Sequence, residues 1–183
     1  MRKINLEIKA KVEDLKKVEQ TAKKLGARKI GVLKQKDTYF KTLRGRLKLR
    51  EVEGLEKAQL IYYERENIAK PKKSNLFIIE TSDPKLLKKV LGKALGIKVV
   101  VEKVRKIYNY KGTKIHLDKV KGLGTYLEFE KPIINIKKES REAHETLRFL
   151  MEKFGVRNKD LQKGSYSDLL LKKKETVKVR FNR

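Results

Sequence analysis

Charged and apolar residues alternate in several short segments of this chain, and this alternation is its clearest structural pattern. Near the N-terminus, Glu7, Lys9 and Lys11 alternate with aliphatic residues, and far downstream Glu128 and Glu130 alternate with apolar ones. Residues two apart on a β-strand share one face. The pattern therefore predicts strands that have one charged face and one apolar face.

Strand character of this kind recurs along most of the chain. Lys111-Gly112 is typical of a tight turn between two such strands. Because most of the strands follow one another as hairpin-like neighbours, we predict an α+β fold with an antiparallel, barrel-like sheet and its helices outside. The strands are predicted at residues 4–12, 27–34, 38–40, 46–52, 58–65, 76–81, 99–110, 113–120 and 125–130.

Apolar residues at helical spacing predict three helices with recognisable ends. Asp14 and Asp83 are the predicted N-caps, Pro84 takes a first helical position, and Gly26 and Gly96 end two of the helices. The helices are predicted at about residues 14–25, 83–95 and 140–154, with a shorter helix at about 165–171.

The length of 183 residues fits a single domain, which is predicted to span residues 1–171 and to be followed by a basic C-terminal tail, residues 172–183. A second basic stretch, residues 67–75, is predicted to be a mobile loop. No apolar run is long enough to cross a membrane, and no signal-peptide pattern is present. We therefore expect a cytoplasmic protein without a membrane partner.

Lysine and arginine number 49 against 23 acidic residues, which gives a formal net charge of +26. This excess indicates an anionic partner, although lysine-rich chains without cysteine or tryptophan are also typical of thermophiles. The chain has no cysteine and only two histidines, His116 and His144. A metal site would rest mainly on carboxylates, which favours Mg²⁺ or Mn²⁺.

Basic pairs and acidic pairs are segregated by strand. Lys48 and Arg50 share one predicted strand face, and Lys103 and Arg105 share another. A polar strand face commonly contacts solvent, but segregated charge is also what a charged barrel interior requires. A barrel of about eight strands has room for a small ligand. Carboxylates for a metal beside cations for phosphate are the components of a metal–polyphosphate site.

Several blocks of the sequence carry a more specific resemblance. They are the Glu-x-Lys-x-Lys strand from Glu7, Gln35-Lys36-Asp37-Thr38-Tyr39-Phe40, Leu47-Lys48-Leu49-Arg50-Glu51, Ile79-Glu80-Thr81-Ser82-Asp83-Pro84, Glu102-Lys103-Val104-Arg105, the long block from Leu117 to Glu130, and Lys163-Gly164-Ser165-Tyr166-Ser167-Asp168. In this order, the blocks resemble the CYTH superfamily of triphosphate tunnel enzymes. This group includes class IV adenylyl cyclases and thiamine triphosphatases.

The resemblance implies a tunnel through an eight-stranded antiparallel β-barrel with helices packed outside. The implied triphosphate-binding residues are Lys9, Lys11, Lys48, Arg50, Arg65, Lys103, Arg105 and Lys163. The implied ligands of Mg²⁺ or Mn²⁺ are Glu7, Glu128, Glu130 and Asp118. Two further residues, Glu80 and Tyr166, are implied to lie nearby or at the tunnel mouth.

Three positions depart from the family pattern. Asn5 stands where the first strand usually has Glu. Its amide keeps an oxygen ligand but carries no charge, which weakens a second metal site. Lys48 replaces a common Arg and loses bidentate phosphate geometry. Tyr63 stands where the fourth strand usually has Lys, and Arg65 can supply a cation from the same face.

Two reactions fit such a site. The first expectation is a class IV adenylyl cyclase that converts ATP to cyclic AMP and pyrophosphate. The alternative is a triphosphatase acting on thiamine triphosphate, a nucleoside triphosphate or tripolyphosphate. Catalytic residues are not assigned. A non-catalytic protein that binds polyphosphate or nucleic acid is the alternative of another class, but no nucleic-acid recognition motif is present. A homodimer is compatible with the sequence.

Overall fold

Eight strands and four α-helices make up the described part of the chain. The computed structural model describes the backbone of residues 1–181 and the side chains of residues 1–135 and 138–176. The elements are β1 (Arg2–Lys11), α1 (Leu15–Lys24), β2 (Arg28–Phe40), β3 (Arg46–Val52), β4 (Ala58–Arg65), β5 (Lys72–Thr81), α2 (Pro84–Leu95), β6 (Ile97–Tyr110), β7 (Thr113–Val120), β8 (Gly124–Pro132), α3 (Ile136–Lys153), a 3-10 turn (Asn158–Asp160) and α4 (Tyr166–Phe181).

The eight strands form a closed antiparallel barrel in the order β1-β5-β4-β3-β2-β6-β7-β8. The first strand closes it, because Glu7 of β1 lies opposite Lys72 of β5 on one side and opposite Glu130 of β8 on the other. This topology confirms the predicted α+β fold and the eight-stranded barrel.

The main apolar core lies outside the barrel, between its wall and the helices. Ile8 of β1 and Phe129 of β8 belong to one buried cluster with Ala22 of α1 and Leu147 of α3. Burial of these alternate strand positions accounts for much of the stabilisation of the fold. The other strand positions face the barrel interior, so the interior can be polar.

Helices α1 and α2 begin and end close to the predicted residues. The Asp14 carboxylate accepts hydrogen bonds from the first backbone N–H groups of α1, and Asp83 does the same for α2. Gly26 follows α1 with φ at 79°, a left-handed conformation that glycine adopts without strain. Among the described residues, no helix is long and apolar enough to cross a membrane.

Helices α3 and α4 are longer than predicted. Helix α3 begins at Ile136, where the Asn135 side chain accepts a hydrogen bond from the backbone N–H of Lys138. Helix α4 continues to Phe181, so the division predicted at residue 171 falls inside a helix. Residues 182–183 of the predicted tail lie outside the described residues.

The mobile loop predicted at residues 67–75 is wrong in its second half. Strand β5 begins at Lys72, directly after Pro71, and Ser74 lies opposite both Asn5 and Arg65 in the sheet. Proline is tolerated at the start of a strand, where its missing N–H costs little. The basic segment therefore contributes a wall of the barrel.

Candidate metal and triphosphate site

A cavity of about 700 Å³ lies inside the barrel. Its lining includes the exposed residues Met1, Leu55 and Glu80 at one end, and the buried residues Ser165 and Tyr166 at the other. The start of α4 therefore closes one end, and the opposite end is open to solvent. The volume is within the range of roughly 300–1,000 Å³ that is typical of small-molecule sites.

Most of the residues predicted for the site line this cavity. They are Lys9, Lys48, Arg50, Arg65, Lys103 and Arg105 among the cations, Glu7, Glu128 and Glu130 among the acids, and Glu80 and Tyr166. In the described structure, Lys11 and Lys163 are exposed and lie outside the lining. Lys11 is the last residue of β1, and Lys163 precedes α4. Their phosphate-binding roles stay predictions, which these positions do not favour.

The carboxylate of Asp37 on β2 gathers three of the cations. Arg50 donates two hydrogen bonds to it, at 2.7 and 2.8 Å, and the ammonium groups of Lys48 and Lys103 lie 3.0 and 2.8 Å from Oδ2. Asp37 is almost fully buried. One carboxylate therefore holds three cations, and an excess of positive charge remains at this part of the wall.

The electrostatics of this group favour an anionic ligand. Burial raises the pKa of Asp37, but Arg50, Lys103 and Lys48 together hold it well below its usual value. Burial lowers the pKa of Lys103 to about 8, although Asp37 opposes the shift. Burial and the neighbouring Arg50 also lower the pKa of Lys48 well below its usual value. In both lysines the charged form is therefore disfavoured, and the negative charge of a bound phosphate would favour it.

A second group of cations lies beside the acids of β1 and β8. Lys9 Nζ is 3.2 Å from Glu128 Oε2, and Arg105 Nη2 is 3.6 Å from Glu128 Oε1. The Arg65 guanidinium is paired with the carboxylate of Glu7. Burial raises the pKa of Glu128, but Lys9 and Arg105 hold it well below its usual value. Glu128 is therefore an anion and available as a metal ligand.

Asp118 orients Arg105 from a buried position on β7, beside the cavity. Its two oxygens accept hydrogen bonds of 2.7 and 2.6 Å from Arg105, and Oδ2 also accepts one of 2.7 Å from the Tyr166 hydroxyl. Asp118 has no exposed surface and is not part of the lining within the described chain. This geometry favours a positioning role for Asp118 over the metal-ligand role that the sequence predicted.

His116, Glu128 and Glu130 form a group that can hold a divalent metal ion. One possible ligand atom from each residue lies within 4.8 Å of those of the other two. His116 Nδ1 is 3.5 Å from Glu128 Oε1 and 3.9 Å from Glu130 Oε2. Glu7 lies on the adjoining strand β1, but its carboxylate is paired with the Arg65 guanidinium. Two carboxylates and an imidazole are a suitable donor set for a divalent cation.

Several buried polar atoms of the lining lack a hydrogen-bond partner within the described residues. They are Gln35 Oε1, Arg65 Nε and Nη2, Ser74 Oγ and His116 Nδ1. Buried polar groups in proteins are almost always paired. The lining therefore suits a ligand with many hydrogen-bonding atoms.

Sequence analysis missed three functional or supporting residues. Asp37 belongs to one of the blocks that resemble the CYTH superfamily, and His116 follows the alternation of β7. Neither residue is assigned to the site by the sequence alone. Lys72 gave no signal, because its partners are backbone carbonyls: its ammonium group donates to Ile68, Gln162 and Lys163 at 2.8 to 2.9 Å. Lys72 thereby anchors the segment that leads into α4.

The family model for the CYTH domain matches residues 3–166 of this chain. The chain belongs to the CYTH domain family. This confirms the resemblance inferred from the sequence blocks. CYTH proteins are adenylyl cyclase-like or triphosphatase enzymes. The triphosphate tunnel enzymes of this family are metal-dependent.

The matches to similar proteins cover almost the whole of this CYTH chain. MJ0240 of Methanocaldococcus jannaschii, named as a candidate adenylate cyclase, is 29% identical over 176 residues, which are 91% of this chain and 98% of MJ0240. PH1012 of Pyrococcus horikoshii has the same fold, with a TM-score of 0.81 and 22% identity over 90% of this chain and 98% of its own. A Hippeastrum candidate adenylyl cyclase, described as having a dominant triphosphatase activity, has a TM-score of 0.60 and 15% identity, with 92% and 94% of the two chains covered.

Proposed function

We propose that this CYTH protein is a metal-dependent enzyme that acts on a triphosphate compound held inside its barrel. The observation that carries the proposal is the contact between the acidic group and the cations. Glu128 lies in the His116–Glu128–Glu130 group and is also 3.2 Å from Lys9 and 3.6 Å from Arg105. Carboxylates repel phosphate unless a metal intervenes, so this arrangement suits a metal–phosphate complex.

Each group of residues has a distinct task in this proposal. His116, Glu128 and Glu130 would hold the metal ion, which would act as a Lewis acid and offset the negative charge of the triphosphate. Arg105, oriented by Asp118 and Tyr166, would donate hydrogen bonds to a phosphate group. The cations around Asp37 would neutralise charge that develops on another phosphate during the reaction. Because the site is enclosed, these charges act more strongly than they would in water.

We assign cyclisation of ATP to cyclic AMP and pyrophosphate as the first reaction to test. Its support is the full-length similarity to MJ0240, which carries the name of a candidate adenylate cyclase. Hydrolysis of ATP, thiamine triphosphate or tripolyphosphate is the alternative, supported by the activity described for the Hippeastrum protein of the same fold. The electrostatics of the cavity serve both reactions, so the products must distinguish them.

Nucleic acid is not proposed as a specific ligand. The cations that face the acidic group lie inside the barrel, where a duplex cannot enter, and the enclosed lining suits a small anion instead. The cytoplasmic location and the homodimer expected from the sequence stay predictions.

The experiment is an assay of the purified protein with Mg²⁺ or Mn²⁺ and ATP, thiamine triphosphate or tripolyphosphate, followed by chromatography of the products. A cyclase would give cyclic AMP and pyrophosphate, whereas a triphosphatase would give orthophosphate. Glu130→Gln removes a charge but keeps the side-chain shape, and it should abolish turnover in a folded protein. Full activity of this variant, or no metal-dependent turnover of any substrate by the wild type, would contradict the proposal.

A further inference from the structure

His116 Nδ1 lies in the cavity wall without a hydrogen-bond partner in the described structure. The residue is only 3% exposed. Its place is fixed by the sheet, because His116 of β7 lies directly opposite Glu128 of β8. Glu130 on the same strand turns Oε2 towards the imidazole, at 3.9 Å, while its Oε1 accepts a hydrogen bond of 2.7 Å from Asn5.

We propose that His116 is a nitrogen ligand of the metal ion, and that the site therefore prefers transition cations such as Mn²⁺ and Co²⁺ to Mg²⁺. This inference rests on the proposed function, since it concerns the same metal site. It adds one imidazole to the pair of carboxylates on β8. The buried, unpartnered Nδ1 is the independent observation that points to a ligand.

The preference follows from the chemistry of the donor atoms. Mg²⁺ is a hard cation that takes oxygen ligands and dehydrates reluctantly. Imidazole nitrogen suits transition metals, whose affinity for a given site rises from Mn²⁺ towards Co²⁺ and Ni²⁺. Asn5 adds to this contrast, because its amide is bound to Glu130 and brings no negative charge to the site. One imidazole and two carboxylates therefore attract Mg²⁺ less than an all-carboxylate site would.

The alternative explanation is that His116 is protonated and forms an ion pair with Glu128 and Glu130. In that case the imidazole would neutralise the two acids and contribute nothing to metal selectivity. The two explanations differ in whether the bound metal is bonded to nitrogen, which a spectroscopic measurement can show.

The test compares the binding of Co²⁺, Mn²⁺ and Mg²⁺ to the wild type and to His116→Asn by calorimetry without substrate. Asn places an amide near the position of Nδ1 and exchanges nitrogen for oxygen. We expect Co²⁺ affinity to fall by at least the roughly 10- to 100-fold that follows loss of an outer-shell partner, and Mg²⁺ affinity to fall much less. His144→Asn is the matched control, because His144 is exposed on α3 and its Nδ1 contacts the Ser140 carbonyl.

Pulsed EPR of Mn²⁺ bound to the wild type supplies a readout that does not depend on a variant folding. We expect a ¹⁴N coupling to the bound Mn²⁺ in the wild type, and we expect the same coupling in His144→Asn. Absence of that coupling, or an unchanged ratio of Co²⁺ to Mg²⁺ affinity in folded His116→Asn, would overturn the assignment. If the coupling is present but no triphosphate is turned over, the proposed function fails and the ligand assignment stands. If triphosphate turnover depends on the metal but the ¹⁴N coupling is absent, the proposed function stands and the ligand assignment fails.

Discussion

Lys103 and Asp37 are 66 positions apart in the chain, yet their Nζ and Oδ2 atoms form a 2.8 Å ion pair inside the barrel. Strand β6 brings Lys103 beside β2, and β3 brings Lys48 and Arg50 to the same carboxylate from the other side. Asp37 therefore holds together cations that would otherwise repel one another.

Replacing Asp37 by Asn should destabilise the ligand-free protein by about 3–5 kcal/mol, because removal of one partner leaves buried charges uncompensated. Tripolyphosphate would supply the missing negative charge, so it should raise the melting temperature of the variant more than that of the wild type. Urea denaturation and thermal melts with and without tripolyphosphate measure both effects. Glu53→Gln is the control, since the exposed pair of Glu53 with Lys34 should contribute little. Equal stability of Asp37→Asn and wild type would contradict the role given to Asp37.

Lys103 should make both stability and ligand binding depend on pH above about 8. Its pKa is about 8 in the folded protein against an ordinary 10.5. Between these values the unfolded chain binds more protons, so the contribution of Lys103 to the free energy of unfolding should rise with pH. Affinity for tripolyphosphate should fall over the same interval, because the lysine loses its charge.

Lys103→Arg is the matched variant for this pH dependence, because arginine stays protonated throughout. Calorimetric titrations of tripolyphosphate between pH 7 and 10 should show a decline in the wild type that is smaller in Lys103→Arg. Identical profiles for the two proteins would show that Lys103 does not bind the phosphate.

Lys72→Met should loosen the segment that leads into α4. The substitution leaves three carbonyl groups without their charged donor. A hydrogen bond to a charged group is worth about 1.5–3 kcal/mol. Hydrogen exchange of the backbone around residues 162–166 should become faster than in the wild type. Lys73→Met is the control, because Lys73 is adjacent on β5 but exposed. Unchanged exchange in Lys72→Met would show that the segment is held by other contacts.

The sequence was sufficient to predict most of the barrel, because alternation is a local property. Glu7 and Lys9 share one face of β1 whatever the rest of the chain does, and Ile8 must lie on the other face. Capping residues such as Asp83 likewise act on backbone groups within one turn of the helix. Such signals do not depend on distant residues.

The parts that could not be predicted depend on contacts between distant segments. Lys72 looked like a loop residue beside Pro71, and its burial is made possible by carbonyl groups about 90 residues away. The role of Asp37 follows from the order of β6, β2 and β3 around the barrel, which spacing along the chain does not give. The approach of His116 to Glu130 likewise depends on side-chain conformations on two strands.

A calorimetric titration of tripolyphosphate in the presence of Mn²⁺ at 0.15 M salt tests most directly whether the anion site lies inside the barrel. Lys9 and Lys11 are two residues apart on β1, but Lys9 is buried against Glu128 and Lys11 is exposed. Lys9→Ala should therefore lower the affinity by roughly 10- to 100-fold, the value of a charged hydrogen bond, while Lys11→Ala should leave it nearly unchanged. Equal losses in the two variants would show that tripolyphosphate binds to the basic outer surface instead.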